Sequence, residues 1–529
     1  MKLKFHCFYF YTILFLFSVN YCYSARILGV FSHPGRSHFN IFHAIMKELT
    51  YRGHSVDVIG HFPLNTTIER YKDFSLNGTI PILSFNVVTI MNLFSNIHYG
   101  MGYLFRQIGQ NLCNKLLLES DVIENLLNTQ DRYDLMITHI MSGDCLLILA
   151  HVLKIPAVIG VITSPTLAWS ADRFGYPNTP SYIPDILLTY NGQRMSFVER
   201  LWNTFYYFHH KFNYDFSANN HAQKLFNQKF GANAPSIYDL QNNMSLLLVN
   251  GHFSLNGARP TPPNVIEVGG IHLKSPQNYN LPNSLEKVLN ESKNDIIYFC
   301  LGSLIRAETF ELDKQRALME TFRQLPYTVI WKGDRNLFNV SIPDNIIFMA
   351  WTPQQELLCH PNVKLFITHG GALGTQEAIY CGVPMIAIPL FYDQPSNAFT
   401  YQRLGIAQVI RYHEISTSKL LSTIQTVINN SSFKENVKLV SQLFQDRPQS
   451  AMDTAIYWIE YVIRYKGAKH LQPQSVELAW YQFYLIDVAL VVIGASILIC
   501  YIMFLAMKYI IFAIITKRFS RRCIKVKTG

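Results

Sequence analysis

Twenty consecutive residues near the end of the chain, Val488 to Met507, carry no charge. At about 1.5 Å of rise per residue they make roughly 30 Å of helix, the thickness of the hydrocarbon core of a bilayer. Whatever else the chain folds into must therefore hang from a membrane. Asp487 stands before the run. After it come Lys508, Lys517, Arg518, Arg521, Arg522, Lys525 and Lys527, with no acid among them. This asymmetry predicts a transmembrane helix over 488–507 and a basic cytosolic tail over 508–529. At the other end, Lys2 and Lys4 precede an apolar stretch from Phe8 to Val19 and small residues at Cys22 and Ser24. That is the pattern of a secretory signal over 1–24, cut before Ala25. The expected topology is single-pass type I with a lumenal body.

Several features follow from that topology. The net charge of +10 falls to about +1 without Lys2, Lys4 and the seven basic residues of the tail. The body is near neutral, so nucleic acid is not an expected partner, while the lipid bilayer is. Lys527 and Lys525 sit third and fifth from the end, like a dilysine retrieval address for the endoplasmic reticulum membrane. Asn65, Asn77, Asn243, Asn290, Asn339, Asn429 and Asn430 each begin a glycosylation sequon. The five cysteines of the body, Cys113, Cys145, Cys300, Cys359 and Cys381, are odd in number and widely spaced. Neither a disulfide framework nor a CxxC metal site is expected from them.

The body divides in two. RILGVF (26–31) reads as a buried strand, followed by a loop with Pro34, Gly35 and Ser37, a helical pattern over 40–49 and a second strand, VDVIG (56–60). A similar passage runs through YDLMIT (133–138), a helix around 146–153 and PAVIGVI (156–162). Residues 85–125 and 170–245 lack a clear strand period and are expected to form helices and loops over a pocket. The Pro/Asn-rich stretch 260–283 reads as a linker between a first domain over 25–259 and a second over 284–470, with 471–487 juxtamembrane. In the second domain IIYFCLGS (296–303), TVIWKGD (328–334), NIIFMAW (345–351), VKLFITH (363–369), MIAIPL (385–390) and AQVIRY (407–412) read as strands. The expected class is α/β: two facing doubly wound, Rossmann-like domains with a cleft between them for two substrates.

Most of the chemistry falls in one run, Trp351 to Gln394. A strand ends at Thr368-His369, and Gly370 and Gly371 allow a sharp turn close to a ligand. A helix then starts near Gly374 and Thr375, and its free N–H groups suit a diphosphate. Glu377, on the first turn, suits ribose hydroxyls. Trp351 ends another strand, where an indole either stacks on a flat base or fills the core, and Gln354 can read a base edge. Asp393 and Gln394 follow the next strand end and suit sugar hydroxyls. No Asp-x-Asp pair and no His/Cys metal cluster is present, so no cofactor or metal is expected to be required; a helix N-terminus and a histidine can carry the diphosphate charge.

This run closely resembles the signature of the UDP-glycosyltransferase family, which includes the UDP-glucuronosyltransferases. The likeness covers nearly the whole chain. The signal, the two-domain body, WIEYVIRYKGAKHL (458–471), the span and the tail resemble its membrane-bound animal branch, and RPTPPNVIEVGGIH (259–272) with SHPGRSHFN (32–40) looks most like arthropod members. The resemblance implies a GT-B fold and inverting transfer from a UDP-sugar co-substrate. It implies Trp351 and Gln354 at uracil, Ser303 and His369 at the phosphates, Glu377 at ribose, and Asp393 with Gln394 at the sugar. Leu373 departs from the family, where an Asn is common.

The general base is expected in the first domain. His38 lies in the loop after the first strand, with His33, His43 and His54 near it in sequence. The Ser37-His38 match to the family's catalytic histidine singles it out. The acid that orients such a base falls, by the family's spacing, on His139. Asp144, five residues on, is the available carboxylate, or else a cap for the helix near Cys145. UDP-glucose is the expected donor for transfer to small lipophilic acceptors in a conjugating, detoxifying role. Where glucuronate-using relatives place an Arg, this chain has Val249 beside Asn250, although Arg259 is near in sequence. The alternatives are UDP-glucuronate as donor and a catalytically weak UDP-sugar-binding protein; an adhesion receptor would need neither the site residues nor the retrieval address. A homo-oligomer is left open.

Overall fold

Strands that are apolar on both faces must be covered on both faces, which favours parallel sheets wrapped by helices. The computed structural model shows two such sheets. It describes residues 24–527 apart from 65, 97–99, 101, 142, 177, 189–193, 280 and 293. The signal through residue 23, the sequon at Asn65 and the side chains of Lys525 and Lys527 lie outside the described residues. The other six sequon asparagines are exposed.

The first sheet has seven strands: β1 (Arg26–Phe31), β2 (Ser55–Gly60), β3 (Tyr71–Ser75), β4 (Leu135–His139), β5 (Val158–Ile162), β6 (Leu246–Val249) and β7 (Val265–Glu267). All pair in parallel in the order β3-β2-β1-β4-β5-β6-β7. The second has six parallel strands: β8 (Ile296–Cys300), β9 (Thr328–Lys332), β10 (Ile346–Met349), β11 (Val363–Thr368), β12 (Met385–Ala387) and β13 (Ala407–Val409). Their order is β10-β9-β8-β11-β12-β13. In each sheet the strand order reverses beside the first strand, between β1 and β4 and between β8 and β11. Crevices open at such switch points, at the carboxyl ends of the strands. Six helices matter below: α1 (His38–Tyr51), α2 (Phe197–Tyr214), α3 (Ala372–Tyr380), α4 (Gln394–Arg403), α5 (Ala451–Arg464) and α6 (Ile486–Lys527).

The domain borders differ from the sequence reading in two places. β7 lies inside the stretch read as a linker and extends the first sheet. Prolines at 260, 262 and 263 hide it in the sequence, because they mask a short edge strand behind a turn. The segment after β7 is stitched to the second domain: Gly270 N donates to Gln376 Oε1 at 3.2 Å and Lys274 N to Gln355 Oε1 at 2.8 Å. In the second place, α5 returns to the first domain, where Ile456, Ile459 and Val462 pack in one cluster with Phe31, Phe42 and Ile137.

Two disulfides correct the expectation drawn from the cysteine count: Cys113–Cys145 and Cys359–Cys381. Partners 32 and 22 residues apart meet only once the fold has formed. Cys300 remains a buried free thiol. Residues 473–529 form a separate unit. Within it, Ile486–Ser520 is the one helix among the described residues long and apolar enough to cross a membrane. It runs past Lys508, because Tyr509–Ile515 is again uncharged, and the helix continues to Lys527.

Candidate active site

Both switch points face one cavity of about 730 Å³, lined by residues of both domains. That volume suits a nucleotide-sized ligand. On the first-domain side, α1 begins at His38, seven residues past the end of β1. Its ring stacks on that of His33 with centroids 4.4 Å apart, and the His139 ring, at the end of β4, lies 5.1 Å from it. Burial pushes His38 down to about 4 and lowers His33 and His139 as well, each further by its imidazole neighbours. All three rings are therefore neutral near pH 7.

The carboxylate expected behind His38 is committed elsewhere. Asp144 pairs with the buried Arg173 and accepts from Gln241 Nε2 at 2.8 Å. Arg173 in turn lies over the Tyr214 ring, 5.0 Å from its centroid. Asp144 opens a short 3-10 turn after β4 that leads it into this pair and away from the β1 loop. Its expected capping role is also absent, since the turn has no side-chain cap. His139, not Asp144, is the residue beside His38.

On the second-domain side, β8 leads into Gly302 and Ser303. Gly302 has φ +82°, and a Cβ there would stand 2.7 Å from the His369 ring. The Ser303 hydroxyl is buried and has no hydrogen-bond partner. A buried hydroxyl without a partner suits a ligand oxygen. His369 ends the β11 turn. Burial, with the Lys332 ammonium adding to it, lowers His369 to about 4. Gly371 precedes the first turn of α3, whose N-terminus has no side-chain cap, and a Cβ at Gly371 would meet His369 Nε2 at 2.5 Å. Free N–H groups at that end can receive a diphosphate.

Gln354 and Glu377 form one unit: Gln354 Nε2 donates to Glu377 Oε2 at 2.6 Å. Gly374 makes this approach possible, since a Cβ would lie 2.8 Å from the Gln354 amide nitrogen. Trp351 is 52% exposed, which sets aside the core-packing alternative. Its ring faces Lys332 Nζ at 4.4 Å and the Arg36 guanidinium at 4.6 Å. Asp393 accepts from Asn397 Nδ2 at 2.7 Å, and burial raises its carboxyl to about 6. Gln394 turns its Oε1 toward the backbone N–H groups of Leu390 and Phe391, at 3.0 and 3.3 Å.

Two expected donor residues hold the cradle without lining it. Thr375 is fully buried, with its hydroxyl on Gly371 O and the Tyr401 hydroxyl, both at 2.9 Å. Gly370, at φ +85°, accepts from Asn397 Nδ2 through its carbonyl at 3.1 Å. Leu373 packs into the apolar cluster that α5 shares with the first sheet.

Three lining residues escaped the sequence reading. Lys332 ends β9 and donates to Gly302 O at 3.0 Å; a lysine at a strand's carboxyl end was the available signal. His272 lies 3.5 Å from Glu377 Oε1. Tyr392 holds φ +57°, uncommon for a bulky residue, and packs against an apolar cluster of the first domain that includes Phe105 and Trp169. No pattern in the sequence marks either of the last two.

Residues 30–521 match the family model described as UDP-glucoronosyl and UDP-glucosyl transferase. "UDP-glycosyltransferase UGT5" of Dactylopius coccus is 37% identical over 490 residues, covering 91% of each chain. "UDP-glucosyltransferase 2" of the same insect is 35% identical, over 95% of this chain and 96% of its own. Among solved structures, a UDP-glucose: anthocyanidin 3-O-glucosyltransferase in complex with UDP shares the fold, with TM-score 0.53 at 15% identity, over 83% of this chain and 99% of the other. The two sheets are thus in the GT-B arrangement.

Proposed function

We propose that this chain, which belongs to the UDP-glucuronosyl and UDP-glucosyl transferase family, moves glucose from UDP-glucose to a hydroxyl of small lipophilic acceptors with inversion. The observation that carries this reading is the pairing, across one cavity, of a neutral His38 with the donor cradle of Ser303, His369 and the α3 N-terminus. The acceptor oxygen attacks the anomeric carbon and its proton passes to His38. The bond from that carbon to the diphosphate breaks, and UDP leaves with the electron pair. Lys332, the Ser303 hydroxyl and the α3 amides stabilise the departing charge. Trp351 stacks on uracil, Gln354 with Glu377 holds the uridine, and Asp393 with Gln394 holds sugar hydroxyls. No metal is required.

Glucose is favoured over glucuronate by the sugar corner. Asp393, ionised above about pH 6, would meet a glucuronate carboxylate there, and a like charge disfavours it. Asn250 is engaged with Thr163 O at 2.9 Å and with Gly270 N at 3.3 Å. Arg259 bonds to Thr166 and Asn256, both at 3.4 Å. Neither they nor Val249 lines the cavity. The two disulfides and the exposed sequons support a lumenal body, and with the C-terminal helix and the tail lysines they support residence in the endoplasmic reticulum membrane. Microsomes carrying the full chain, given a phenol panel, should consume UDP-glucose faster than UDP-glucuronate and continue under chelation. Faster turnover of UDP-glucuronate would reverse the donor assignment.

A further inference from the structure

The base of this site has two imidazoles beside it where a carboxylate was expected. His33 and His38 come from the loop after β1, and His139 ends the neighbouring β4. Each presents a ring nitrogen, and the three lie within 4.8 Å of one another. One nitrogen on each ring, His33 Nδ1, His38 Nδ1 and His139 Nε2, is buried with no hydrogen-bond partner. Neutral imidazole nitrogens offer lone pairs, and three such rings meeting in one cluster suit a ligand that accepts them. Two acids of the first domain are committed elsewhere: Asp144 to Arg173, and Asp57 to Arg26 and the Tyr133 hydroxyl.

We propose that His33, His38 and His139 form a three-imidazole site for a divalent transition ion of the zinc class, and that the ion takes His38 out of proton transfer when bound. Three neutral nitrogens suit zinc, cobalt, nickel or copper better than magnesium or calcium, which prefer oxygen. Three protein ligands also leave a fourth position open, and His33 and His38 line the cavity. Metal–nitrogen bonds of about 2.0–2.1 Å in a tetrahedral site set nitrogens roughly 3.4 Å apart, so nitrogens within 4.8 Å of one another need close by at most about 1.4 Å. His38 cannot at once donate its lone pair to an ion and accept the acceptor's proton. The ion is thus an inhibitor at the base. The binding half stands on the cluster alone; the inhibitory half rests on the proposed role of His38.

Cobalt(II) alone, titrated into the full-length chain in detergent, reads the site directly. The expected result is one equivalent bound, with the visible absorption of a four-coordinate ion, displaced by zinc. His33→Ala and His139→Ala should each weaken cobalt binding by at least about tenfold while UDP still binds, which shows the variants fold. Added zinc should lower wild-type turnover in proportion to occupancy, and a chelator should restore it. No four-coordinate spectrum, or one unchanged in both variants, would overturn the site. Binding with turnover unchanged or raised would overturn the inhibition. A chain that turns over no UDP-sugar would refute the function proposed above, and the cobalt spectrum would still decide the site.

Discussion

Gln354 donates to Glu377 at 2.6 Å, so two residues expected to meet the base and the ribose separately act as one hydrogen-bonded pair. Each holds the other's rotamer before any ligand arrives. Removing either should therefore cost most of what removing both costs. Titrations of UDP into Gln354→Ala, Glu377→Ala and the double variant should show a coupling of about 0.5–3 kcal/mol. Additive losses would show that the two read the nucleotide independently.

Asp144 and Arg173 are a buried pair, and losing one partner strands the other's charge. Asp144→Ala should destabilise the lumenal body by about 3–5 kcal/mol. The loss should appear in thermal or denaturant unfolding, while kcat per UDP-binding molecule stays unchanged. A fall in kcat with stability intact would instead give Asp144 a role at the base.

Sequence patterning made the cleft legible because its strands are buried. RILGVF, IIYFC and VKLFIT are apolar runs bounded by turn residues, and that signal carries the fold and its switch points together. β3 was not legible: YKDFS is a half-exposed edge strand without a hydrophobic run. The disulfides, the Asp144–Arg173 pair and the His33–His38–His139 cluster join residues brought together only by tertiary packing. Five residues from His139 to Asp144 say nothing about where a 3-10 turn aims a side chain. Gln394 was legible by position, but its oxygen's engagement with the Leu390 and Phe391 amides was not.

Asp393 offers a pH test. Burial raises its carboxyl to about 6, so it is protonated below that value and ionised above it. Hydrogen bonds to an ionised acceptor are roughly twice as strong. UDP-glucose affinity should therefore improve as pH rises through about 6, more than UDP affinity does. Calorimetry of both ligands between acidic and neutral pH checks this, and Asp393→Asn should remove the difference between them.

Gly302 is required by its backbone and by its neighbour. At φ +82°, with His369 atoms 2.7 Å from a Cβ, Gly302→Ala forces either strain or a displaced imidazole. The strain amounts to about 1–3 kcal/mol. UDP binding should weaken by a corresponding factor, measured by calorimetry, with circular dichroism unchanged.

If His38 is the base in transfer from a UDP-sugar, its loss must slow the reaction without loosening UDP. The direct test is steady-state kinetics of the wild type and His38→Ala with UDP-glucose and a nucleophilic phenol, alongside UDP binding to both. The wild type should form glycoside and UDP in equal amounts, and His38→Ala should lose roughly 10²–10⁴ in kcat while keeping its UDP affinity, since the residues proposed to hold UDP lie in the other domain. Unchanged kcat in His38→Ala, or UDP binding by the wild type with no turnover of any UDP-sugar, would contradict this.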